Sequence, residues 1–187
     1  RHYAAMLYGI YIGLTLLEFI LLLCGGMPVF DAINTSIATA GTGGFGIHNA
    51  NIGAYASHYL QTVIAVFMML FGINFSFYIL LIARKFGQAF KIEELWVYFG
   101  LIVASTLGIA FNILPLYGND FGESLHQSFF YVSSIITTTG FGLGQKGDVN
   151  QWPIFSKAII LVITFTGAMA GSTGGGFKIS RIILLFK

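Results

Sequence analysis

Two short stretches, Ala40-Gly41-Thr42-Gly43-Gly44 and Ile136-Thr137-Thr138-Thr139-Gly140, hold the residues whose types and spacing suggest chemistry. Neither contains a carboxylate. What they offer is closely spaced backbone carbonyls, which glycine can turn toward one axis through positive φ, together with threonine hydroxyls of the same hard character. A ring of such carbonyls can replace the hydration shell of a potassium ion, whereas other cation sites use rings of Asp or Glu. Carbonyl and hydroxyl oxygens alone therefore favour a large monovalent cation. Phe45 and Phe141 follow the loops and are expected to wedge them in place. Glycine-rich turns between buried helices are the bland alternative, and recurrence at equivalent positions argues against it.

A third stretch, Gly171-Ser172-Thr173-Gly174-Gly175-Gly176-Phe177-Lys178, lies inside the last apolar segment and is led in by Gly167. Glycine costs about 1 kcal/mol per residue in a helix interior, so this segment is expected to break into a flexible loop with a helix on either side. Below the second carbonyl-rich loop, Gly171 to Gly176 and Lys178 are placed to plug a pore and act as a gate. Lys178 and Arg181 are cations that can repel ions or pair with a carboxylate. A small-residue helix-packing patch is the alternative. A phosphate-binding loop is excluded, because the Lys spacing differs, no strand precedes it and the segment is apolar.

The elements that must position these loops are membrane-like. Of 187 residues, 56% are hydrophobic and only 9% charged, against about 25% charged in a soluble domain. The net charge of +2 and the absence of a basic stripe give no reason to expect nucleic acid. Cys24 is the single cysteine, so no intramolecular disulfide is possible. Tyr3 to Leu23 is an apolar run long enough to cross about 30 Å of hydrocarbon. A short helix from Pro28 to Thr39 follows, then the first loop, a polar stretch (Ile47 to Ser57) and a second expected full-length span, Tyr59 to Ala83. The order recurs: a span from Leu95 to Tyr117, a short amphipathic helix from Phe121 to about Ile136, the second loop, a polar stretch (Gly144 to Gln151), and a last long segment from Ile154 to Lys187.

The halves superimpose at an offset of about 96 residues, which lays Gly43-Gly44-Phe45-Gly46 on Thr139-Gly140-Phe141-Gly142. The expected fold class is therefore an all-α membrane protein of two tandem parallel repeats, 1–91 and 92–187, each a transmembrane helix, a re-entrant pore helix, a filter loop and a second transmembrane helix. The short helices aim the negative ends of their dipoles at the loops, which suits a cation. Arg1, Arg84, Lys85, Lys91, Arg181 and Lys187 mark one side as cytoplasmic. Asp31, Asp120, Glu123 and Asp148 fall opposite with Lys146 and Lys157, where the acids either raise the local cation concentration or are ordinary solvated charges. Glu18 is a candidate for pairing with a polar group on a neighbouring helix, and Asn74, equivalent to Ala170, for lining an inner cavity or bonding between helices. His48, His58 and His126 read as outer-surface residues without a metal-site spacing, Met68-Met69 as packing or lipid-facing surface, and no enzyme chemistry is expected.

The loop pair and Ala170-Gly171-Ser172-Thr173-Gly174-Gly175-Gly176-Phe177-Lys178 resemble the Trk/Ktr family of potassium transporter membrane subunits over the whole chain, and its Trk branch most. The resemblance implies four such repeats around one pore, with this chain similar to the second and third, and K⁺ (or Rb⁺) as the permeating ion, with no cofactor. It implies one strongly preserved glycine per filter loop, here Gly43 and Gly140. It also implies a plasma (inner) membrane location, a dimer of full-length subunits and a cytosolic nucleotide-binding regulatory subunit. Two repeats cannot close such a pore, so the chain is expected to be a piece of a longer one or to assemble as two copies. A coupled secondary transporter with a midplane site is the competing function; its repeats are commonly inverted, unlike these. A membrane scaffold would leave the paired loops unexplained.

Overall fold

The computed structural model describes residues 2–144 and 148–186; Arg1, Lys146 and Lys187, used above for orientation, lie outside the described residues. Within them the chain is helical: α1 (His2–Cys24), α2 (Val29–Ala40), α3 (His58–Phe71), α4 (Phe75–Ile82), α5 (Phe86–Ala89), α6 (Glu93–Ile113), α7 (Phe121–Ile136), α8 (Ile154–Thr166) and α9 (Ile179–Phe186). The apolar run of α1 ends at Gly25-Gly26, and Pro28 stands immediately before the first turn of α2. α6 continues through a tight turn at Leu114–Tyr117. Asp120 then opens α7 by accepting hydrogen bonds from the amides of Gly122 (2.9 Å) and Glu123 (3.3 Å).

By length and composition, Ala4–Cys24 and Glu93–Tyr117 suffice to cross a bilayer. The expected full-length span Tyr59–Ala83 is not one helix: α3 and α4 meet at 89°. The cause lies in Gly72-Ile73-Asn74. A Cβ on Gly72 would overlap the Tyr98 hydroxyl and lie 2.8 Å from Thr137 Cγ2. Asn74 then caps α4 through its side-chain oxygen, which accepts from the Ser76 amide at 2.8 Å. The last segment breaks where its glycines predict, leaving α8 and α9 on either side of residues 167–178.

α6 packs on α7, α8 and α9, α1 on α2 and α3, and α3 on α7, which joins the two halves. The core between them includes Leu22, Ile64, Met68, Ile109, Ile113, Phe130 and Ile136. Tyr8, Ile12, Leu16 and Ile20 form an exposed apolar stripe along one face of α1, and Leu161, Val162 and Phe165 do so on α8. Such outward apolarity suits lipid or further membrane helices as surroundings.

Candidate functional site: two matched loops over a glycine-rich break

α2 and α7 end in the same way. Thr42 N–H bonds back to Thr39 O (3.0 Å) and Gly43 N–H to Ala38 O (2.7 Å). Thr138 N–H bonds to Ile135 O (2.9 Å) and Thr139 N–H to Ser134 O (2.9 Å). This double closure is a Schellman cap, which needs a left-handed residue after the helix, usually glycine. Here that residue is a threonine in both loops, Thr42 at φ 49° and Thr138 at φ 58°. Left-handed backbone at a β-branched residue is strained, and such strain concentrates at functional sites. Two residues on, Gly44 (φ 68°) and Gly140 (φ 87°) are left-handed again. The backbone thus pairs Gly140 with Gly44, whereas the resemblance had singled out Gly43.

The carbonyls of Thr42, Gly43, Thr137, Thr138, Thr139 and Gly140 accept no hydrogen bond among the described residues. Neighbouring ones are tied down: Gly44 O accepts from Asn51 Nδ2 (3.0 Å) and Phe141 O from Ser134 Oγ (2.7 Å). The loops also touch, since a Cβ on Gly44 would overlap the Thr139 carbonyl oxygen. Unpartnered carbonyls on non-helical backbone at membrane depth require water or ions.

The hydroxyls behave differently from the expectation that they join the carbonyls. Thr137 Oγ1 donates to Ser133 O (2.6 Å) and shares a 2.8 Å hydrogen bond with Thr139 Oγ1, both buried behind the loop. Thr42 and Thr138 meet the glycine-rich break: the Thr42 hydroxyl is shared between Gly41 O (2.8 Å) and Thr173 O (3.2 Å), and Gly175 N–H donates to Thr138 Oγ1 (2.6 Å). Ala40 and Ile136 are buried at the helix ends. Phe141 is buried as expected, but Phe45 is 84% exposed and wedges nothing in this chain.

The break at residues 167–178 is knitted into its surroundings. Met169 N–H donates to Gly72 O (3.1 Å), Phe75 N–H to Gly171 O (3.1 Å) and Thr173 Oγ1 to Phe71 O (3.2 Å), so the α3–α4 bend and the glycine-rich break satisfy each other's backbone. Asn74 therefore serves the bend, and a Cβ on Gly171 would lie 3.0 Å from its side-chain oxygen. Ser172 Oγ closes a local turn on Met169 O (2.7 Å). Gly174 is buried, with Thr137 O 3.0 Å from where a Cβ would stand, and Gly176 is left-handed. The Lys178 ammonium donates to Gly174 O within the loop. Arg181 lies 6.0 Å from the centre of the Phe177 ring. One residue the sequence reading passed over also belongs here: Glu94 Oε1, in the first turn of α6, accepts from the amides of both Ala170 (2.7 Å) and Ser180 (3.1 Å).

The acids of the other end have local partners. Asp31 accepts from Tyr55 Oη (2.5 Å) and lies 3.4 Å from His48 Nε2. Burial, followed by the Asp31 carboxylate, pushes the Tyr55 phenol above its usual range. Glu123 meets His58 (3.5 Å) and Gln127 (2.8 Å), while Asp148 caps Asn150. His58 and His126, far apart in sequence, stack edge-on at 4.7 Å across the contact between α3 and α7. Glu18 is fully buried beside Thr39 of α2, a polar group on a neighbouring helix as expected, but the Thr39 hydroxyl donates to Thr35 O (2.8 Å) and leaves neither carboxyl oxygen with a well-formed hydrogen bond among the described residues.

No family model matches the chain. Among curated proteins, the Trk system potassium uptake protein TrkH of Escherichia coli (strain K12) is 37% identical over 188 residues, covering 98% of this chain and 38% of the relative. The Trk system potassium uptake protein TrkG of the same organism is 33% identical over 166 residues, covering 87% of this chain and 33% of its own length. The crystal structure of the potassium transporter TrkH from Vibrio parahaemolyticus superimposes with a TM-score of 0.88 at 31% identity, covering 99% of this chain and 40% of that one. The chain thus spans well under half the length of the relatives it matches. By sequence and by fold this all-helical membrane protein is a homologue of the Trk potassium uptake proteins TrkH and TrkG, and corresponds to part of them.

Proposed function

We propose that this chain supplies two of the pore-lining repeats, residues 1–91 and 92–187, of a K⁺ permeation path. Residues 40–44 and 136–140 form half of a carbonyl filter, and Gly171 to Gly176 with Lys178 form a gate beneath it. One observation carries the reading. Two loops with the same strained backbone, left-handed at Thr42 and Gly44 and again at Thr138 and Gly140, leave a run of carbonyls unpartnered directly above a broken helix. The potassium uptake named for TrkH and TrkG supports K⁺ as the ion.

The filter ring is completed by further repeats of a longer chain or by a second copy. By the Trk resemblance the full-length subunit is a dimer in the plasma (inner) membrane under a cytosolic nucleotide-binding regulator. The lysines and arginines at Arg84, Lys85, Lys91 and Arg181 favour a cytoplasmic placement for the ends opposite the filter. With the filter as its binding site, the protein in its longest natural form is stabilised by K⁺ and Rb⁺ and not by Na⁺ or Li⁺, since an ion that binds only the folded state raises its stability with concentration. Thermal unfolding in the four chlorides tests this. Equal midpoints in all four would remove the filter.

A further inference from the structure

A carboxylate outside the loops holds the glycine-rich break in place. Glu94 stands in the first turn of α6, the helix that packs on α7, α8 and α9 and so provides a fixed frame. Its Oε1 accepts from Ala170 N–H, near the start of the break, and from Ser180 N–H, in the first turn of α9 just after the break. One oxygen therefore bridges the two ends of the segment. Between those ends the loop arches up to Thr42 and Thr138. Both amides need outside partners: Ser180 is among the first N–H groups of a helix, which have none within it, and Ala170 lies in broken backbone. A carboxylate is a stronger acceptor than a neutral oxygen, and it complements the positive end of α9. Lys178, the nearby cation, donates to Gly174 O and also attracts the Glu94 carboxylate through space, while the hydrogen bonds of Oε1 go to the two amides.

We propose that Glu94 is a positioning residue for the gate: it latches the break beneath the filter, and the loop moves aside only when at least one of its two hydrogen bonds to Glu94 Oε1 breaks. This rests on the reading of residues 171–178 as a gate. The test is Rb⁺ uptake into proteoliposomes carrying the longest natural form of the protein, comparing wild type, Glu94→Gln, Glu94→Ala, a deletion of 174–176, and Glu94→Gln combined with the deletion. Glu94→Gln keeps the shape and loses the charge, so uptake without activation rises about fivefold, the usual worth of charge assistance in a hydrogen bond. Glu94→Ala raises it further, and in the deletion background Glu94→Gln adds nothing, because a latch without a gate has no effect.

A residue needed only for folding behaves otherwise: its substitution lowers uptake and the unfolding midpoint equally in both backgrounds, and that result overturns the latch. If the deletion raises uptake while Glu94→Gln, folded by size exclusion and thermal unfolding, leaves it unchanged, the latch falls and the gate stands. If the deletion itself leaves uptake unchanged in folded protein, the gate falls and the latch with it.

Discussion

Thr42 and Thr138 take a backbone conformation that their side chains resist, and the sequence gives no hint of it. Propensity alone would assign the left-handed positions to the glycines, and half of that is right: Gly44 and Gly140 are left-handed, and Gly43 is not. The composition of the loops was legible because oxygen-rich, carboxylate-free segments stand out in an apolar chain. Which oxygens stay free was not, since that depends on Thr137 and Thr139 turning inward. The two glycines also fail differently when replaced. Nothing lies within 4 Å of a Cβ at Gly140, so the penalty there is the φ of 87°, about 1 kcal/mol or more for a residue with a side chain. Gly140→Ser therefore folds but misaligns the carbonyls, and Na⁺ competes measurably for Rb⁺ uptake. Gly44→Ala drives a methyl into the Thr139 carbonyl, so that variant loses thermal stability as well as uptake. Glu94 escaped notice because an acid in the first turn of a helix ordinarily needs no explanation beyond the helix dipole.

At the scale of elements, the glycine-rich break is readable from glycine density alone, while the 89° bend between α3 and α4 lies inside a run that reads as a continuous span. One glycine in an apolar run is weak evidence of a break. The signal present was positional: the repeat offset lays Gly72-Ile73-Asn74 on Ala168-Met169-Ala170, inside the break of the other half. Bend and break exchange hydrogen bonds, which explains why either can exist at membrane depth. Asn74→Ala removes the cap of α4, with an expected loss of about 1 kcal/mol, read as a lower unfolding midpoint. Deleting 174–176 removes Gly175, whose amide meets Thr138, and shortens the arch beyond Thr173, which meets Thr42, and Rb⁺ uptake in the folded variant rises.

Over the whole molecule, the helical membrane fold was legible because apolar run lengths report bilayer thickness directly. How the halves lock together was not: the contact of α3 with α7, through His58, Gln61 and His126, joins residues more than sixty positions apart that periodicity cannot pair. That lock sets the two loops side by side, with Gly44 against the Thr139 carbonyl. The most direct test is Rb⁺ uptake into proteoliposomes carrying the longest natural form of the protein, with K⁺ or Na⁺ as competitor. Block by K⁺ and not by Na⁺, relaxed in Gly140→Ser, is the predicted result. Absence of Rb⁺ flux from a folded, complete protein would contradict the filter and turn the paired loops over to another solute.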